Sequence, residues 1–68
     1  MEELKNLEEL ILTEIVESSE EVRIVFTTGY QTKVEILDFN CDVMLIKDKA
    51  TGAKWLVYRH AISTIDMG

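Results

Sequence analysis

The sequence has no proline, one cysteine and one histidine among its 68 residues. Without proline, no position is barred from giving its backbone N–H to a sheet. The lone Cys41 has no partner for an internal disulfide, which fits a reducing cytoplasm. One histidine and one cysteine offer no zinc-type spacing, so neither a metal nor another cofactor is expected. A Gly-x-Ser-x-Gly elbow and a phosphate-cradling glycine-rich loop are also missing. Asp38 and Asp42 flank a strand junction, where paired acids are turn formers more often than an acid/base couple. The expectation is a binding or assembly module, not an enzyme. No apolar run approaches a membrane span, and Met1 is followed by two glutamates where a leader would be basic. Bases are scarce: seven Lys+Arg face thirteen Asp+Glu, a formal charge of −6 that at face value disfavours nucleic acid.

The charge is unevenly placed. Residues 1–21 hold eight glutamates and only Lys5 as a base, whereas residues 22–68 hold five acids and six bases. The acidity therefore belongs to one segment, and the remainder is close to neutral. The length supports a single domain over residues 1–68, with a core too small to be comfortably stable alone. Oligomerisation would supply what the core lacks.

Leu4, Leu7, Ile11 and Ile15 recur at helical steps, widened by Leu10, Leu12 and Val16. Asn6 and Glu9 have capping-box spacing, which places the helix start near Leu7, and Ser18-Ser19 marks its exit. From Glu21 the period changes to alternation. Glu21–Thr27 puts Val22, Ile24 and Phe26 on one face, and Thr28-Gly29 supplies a turn. Tyr30–Phe39 puts Val34 and Ile36 on one face. After a polar break at Asn40, Val43–Lys47 is apolar on both sides, the mark of double burial or a subunit contact. A loop over Asp48–Lys54 precedes short strands at Trp55–Tyr58 and Ile62–Ile65. One helix followed by five short antiparallel strands predicts a mainly β fold, a small and strongly bent barrel. The last two strands are apolar for exposed edges, and a ring pairing each edge with a neighbour's would remove that liability.

The run Val57-Tyr58-Arg59-His60-Ala61-Ile62-Ser63-Thr64 resembles the hallmark motif of the Hfq family, bacterial Sm-like RNA chaperones, whose pattern is Tyr-Lys-His followed by Ala-Ile-Ser-Thr. Arg59 stands at the lysine. Gly29-Tyr30-Gln31 is similar to the family's Asn-Gly-Phe-Gln turn, and Ile36, Phe39, Val43, Leu45 and Lys47 align without gaps. The resemblance spans roughly residues 6 to 66 and identifies a divergent member. It implies an Sm-like fold, an N-terminal α-helix on a bent five-stranded antiparallel barrel, assembled as a cytoplasmic homohexameric ring.

The resemblance also implies RNA-binding residues. An inner-pore site for uridine-rich ends would use Arg59 and His60, with Cys41 and Asp42 at the positions of a glutamine or lysine and its stacking aromatic, and Glu8 at that of a glutamine. Loss of that platform matters, since base–aromatic stacking is worth about 1–3 kcal/mol. On the opposite face, a purine-rich site would use Gly29, Tyr30, Gln31 and Lys33, with Val25 where an aromatic often stands. The rim arginines are replaced by Val16 and Glu17, and a glycine usual in the second strand is Val34. Tyr58, Ile62, Val43 and Leu45 fall at the subunit seam. Tyr30 also reads as a plain turn tyrosine, and His60 as a structural histidine. Two functions follow: an RNA-binding ring for U-rich or A-rich single strands in post-transcriptional regulation, or a ring serving a protein partner on its acidic helix face. No membrane partner is expected.

Overall fold

The alternation that begins at Glu21 becomes five strands in a computed structural model describing residues 2–68, with side chains described from Leu7 onward. Helix α1 (Glu2–Ser18) precedes β1 (Glu21–Phe26), β2 (Gln31–Phe39), β3 (Val43–Asp48) and β4 (Lys54–Tyr58). A 3₁₀ turn, Arg59–Ala61, leads into β5 (Ile62–Asp66). The helix extends past the expected start near Leu7, so Asn6 lies inside it and not at a cap. It ends as expected at Ser18-Ser19. Ser18 Oγ donates to the Ile15 carbonyl at 3.3 Å, and Ser19 takes a left-handed φ of 57°.

The five strands form one antiparallel sheet in the order β4-β3-β2-β1-β5. Inward-facing Val22, Ile24, Val34, Ile36, Met44 and Ile46 make the core, closed by Leu12 and Ile15 of α1. Ile11 and Val16 pack at its margin, whereas Leu7 and Leu10 are exposed. The apolar stripe is thus narrower than the spacing predicts; the side chain of Leu4 lies outside those described. The sheet bends at two register shifts, between Val25 and Phe26 and between Ile36 and Asp38. Val34 is fully buried, and the irregularity of β2 lies three residues further on, at Leu37.

Three connections are fixed by local hydrogen bonds. In the first, Gly29 has φ 95°, which an L side chain would strain, and its N–H donates to the Phe26 carbonyl at 2.8 Å. In the second, Asn40 Oδ1 accepts from the N–H groups of Asp42 and Val43 at 2.8 and 2.9 Å. In the third, Asp48 Oδ1 accepts from the Ala50 N–H and Thr51 Oγ1 from the Ala53 N–H. The ends of the sheet are β4 and β5, consecutive in the chain yet at opposite edges. Trp55, Leu56 and Tyr58 of edge strand β4 are exposed. Among the described residues, no helix is long and apolar enough to cross a membrane.

Candidate nucleic-acid interface

Arg59 is the centre of the first cluster. The 3₁₀ turn carries it back over the β2–β3 turn, where its own N–H donates to the Asp42 carbonyl at 2.8 Å. Its guanidinium lies over the Phe39 ring, 5.8 Å from the centroid. Nη1 donates to the Asn40 carbonyl at 2.6 Å, and Nη2 donates to Glu8 Oε2 from α1. The Arg59 side chain is only 16% exposed, while that of Glu8 is 63% exposed. The fold therefore gathers Glu8, Cys41, Asp42 and Arg59, residues that the sequence places at three distant points. His60 is exposed beside them, its ring stacked on Tyr58 at 5.9 Å. A hollow of about 260 Å³ lined by Glu8, Arg59, Ile62, Ser63 and Thr64 opens at the β5 edge.

This arrangement differs chemically from an open cationic site. An arginine fork offers donors in fixed directions, and here one is directed to a carbonyl and another to a carboxylate. The formal charge of Arg59 is balanced by Glu8 before any ligand arrives. Cys41 and Asp42, both exposed, present a thiol and a second carboxylate where a stacking ring is lacking.

The second cluster surrounds the β1–β2 turn. Tyr30 is 54% exposed and stacks on Phe26 at 5.9 Å with an interplanar angle of 23°, which holds its ring as a platform. Gln31 and Lys33 follow on the outward face of β2, both exposed. The register sets Val25 opposite Gln31 and Arg23 opposite Lys33, so Arg23 adds a second cation to this surface. Arg23 Nη1 lies 3.7 Å from Asp66 Oδ2, and both side chains are about half exposed. Arg23 is absent from the residues implied by resemblance, although strand alternation alone puts it on the same face as Lys33. The β1–β2 turn is tied to the 3₁₀ turn, where the Thr27 N–H donates to the Ala61 carbonyl at 2.8 Å.

The residues expected at a subunit seam fall on β3 and at the two edges of the sheet. Val43 and Leu45 lie on the outward side of β3, half-buried, and Leu45 pairs with exposed Leu56. Tyr58 ends one edge strand and Ile62 begins the other. On the helix, Val16 packs against the core and Glu17 is exposed, so no base occupies that part of the rim.

A family model described as Hfq protein matches residues 7–67. No curated protein matches the chain. Among solved structures, a 1.55 Å crystal structure of the pleiotropic translational regulator Hfq is similar with a TM-score of 0.82 and 28% identity, covering 88% of this chain and 97% of that one. That family model, the fold it accompanies and the Arg59-His60 motif agree: the chain belongs to the Hfq family and has its Sm-like fold.

Proposed function

We propose that this protein is an Sm-like RNA-binding ring that holds A-rich single strands on the β1–β2 surface and U-rich strands more weakly at the Arg59 cluster. The observations that carry the reading are the exposed Tyr30 ring, stacked on Phe26 at the β1–β2 turn, and the exposed Arg23–Lys33 pair further along the same hairpin. An aromatic ring beside cations is the general recipe for single-strand binding: stacking supplies about 1–3 kcal/mol per base and the cations follow phosphate. Membership of the family supports a cytoplasmic homohexamer acting in post-transcriptional regulation, with binding and not catalysis as its chemistry. The free edges β4 and β5 support closure of the ring by strand pairing between copies, with Tyr58, Ile62, Val43 and Leu45 at the seam. Six copies of Tyr30 and Lys33 then act on one strand by avidity.

A second reading is favoured by the Glu8–Arg59 pair and the exposed glutamates of α1: a ring that has exchanged RNA for a basic protein partner. Titration of labelled oligo-A and oligo-U at low salt, with light scattering of the same samples, separates the two. The RNA reading expects a ring, micromolar or tighter oligo-A binding, and a loss of about tenfold or more in Tyr30→Ala. A ring that binds neither oligonucleotide refutes it and favours the protein partner. A monomer refutes the assembly.

A further inference from the structure

We infer that Glu8 is the specificity-determining residue of the Arg59 site: its carboxylate occupies the guanidinium edge that an RNA phosphate needs, and so turns the ring away from U-rich strands. The inference rests on the RNA-binding reading above. Three contacts hold the Arg59 guanidinium among the described residues. Its face covers the Phe39 ring, Nη1 donates to the Asn40 carbonyl, and Nη2 donates to Glu8. Of these, only Glu8 is an anion, and its side chain is 63% exposed.

A carboxylate and a phosphate oxygen ask the same thing of arginine, a charge-assisted N–H donor, and here the donor in question is Nη2. The two are therefore competitors for one edge. Phe39 and Asn40 hold the guanidinium in place whichever of them is bound, so exchange needs no refolding of the site. The hollow beside the pair adds the Ser63 and Thr64 hydroxyls, groups that bond phosphate or ribose without charge. With Glu8 in place, the hollow presents no net positive charge, and exposed Asp42 makes its surroundings less favourable still. Glu8 is no part of the β1–β2 surface, where Arg23 has its own pairing with Asp66, so the residue that weakens one site leaves the other untouched.

Glu8→Gln keeps size and hydrogen-bonding capacity and removes the charge. An exposed ion pair biases an equilibrium by up to about fivefold, and a strand that engages more than one protomer multiplies that release. Labelled oligouridine and oligoadenine are titrated into the intact ring over a series of salt concentrations, for wild type, Glu8→Gln, Arg59→Ala and the double variant. Glu8→Gln is expected to bind oligouridine about tenfold more tightly, a change of about 1.4 kcal/mol. Its log–log salt slope should steepen by about 0.7 for each phosphate newly held. Oligoadenine affinity should not move, and the gain should vanish in the double variant.

Unchanged oligouridine affinity and slope in Glu8→Gln, with oligoadenine still bound, overturns the inference alone. Equal tightening of both oligonucleotides, or a gain that survives Arg59→Ala, overturns it as well, because either would mark a general charge effect. If no variant binds either oligonucleotide, the RNA-binding reading itself fails and the inference falls with it.

Discussion

Arg59→Ala removes one side chain that joins three elements, and its cost follows from what that side chain touches. The Nη1 bond to the Asn40 carbonyl is charge-assisted though exposed, which puts it at the low end for such bonds, about 1.5 kcal/mol. The guanidinium over Phe39 adds about 0.5–1 kcal/mol. The pair with Glu8 is open to water on one side, which limits it to about 0.5 kcal/mol. The total is about 2.5 kcal/mol. A domain of this size loses roughly 4–8 °C of melting temperature per kcal/mol, so Arg59→Ala should melt on the order of 10–20 °C lower. Glu8→Gln removes the ion pair alone and should cost roughly 2–4 °C. Circular dichroism melts at one fixed protein concentration give both values, since assembly into the proposed ring would make the midpoint concentration-dependent. Equal shifts for the two variants would refute the reasoning: Glu8 would then be the whole anchor, and the carbonyl and ring contacts would contribute nothing.

Two further outcomes concern turns. Asn40→Ala strips the acceptor shared by the Asp42 and Val43 N–H groups and should destabilise by about 1–2 kcal/mol, read as a lower urea midpoint with an unchanged slope. Ser19→Gly relieves a left-handed residue at the helix exit and should raise the melting temperature by a few degrees, an increase of about 0.5–1 kcal/mol in stability.

The strands were legible because a period of two leaves little freedom. Val22, Ile24, Val34 and Ile36 were readable as core from alternation, and each is buried. The helix was less so. Leu7 and Leu10 satisfy helical spacing as well as Ile15 does, yet the sheet is only wide enough to cover one arc of the helix. Gly29 and Asn40 announced their turns, since positive φ and a short side-chain acceptor are local properties. The Glu8–Arg59 contact joins residues 51 apart in sequence, and no spacing rule reaches that far. Resemblance put both at one site; only the fold shows that they neutralise each other. Arg23 was legible in principle, as the partner of Lys33 across an antiparallel pair, but it lies outside the motif that drew the eye.

The three-residue turn Arg59–Ala61 separates the two free edges of the sheet in the chain. In any circle closed by pairing those edges, the angle between them inside one protomer fixes how many copies complete it. Subunit number is then a property of the protomer's own geometry, set before two copies meet. The bolts that hold this angle are Arg59 on the β2–β3 turn and the Thr27–Ala61 hydrogen bond on the β1–β2 turn. Loosening either would widen the distribution of ring sizes without touching a single residue of the contact between copies.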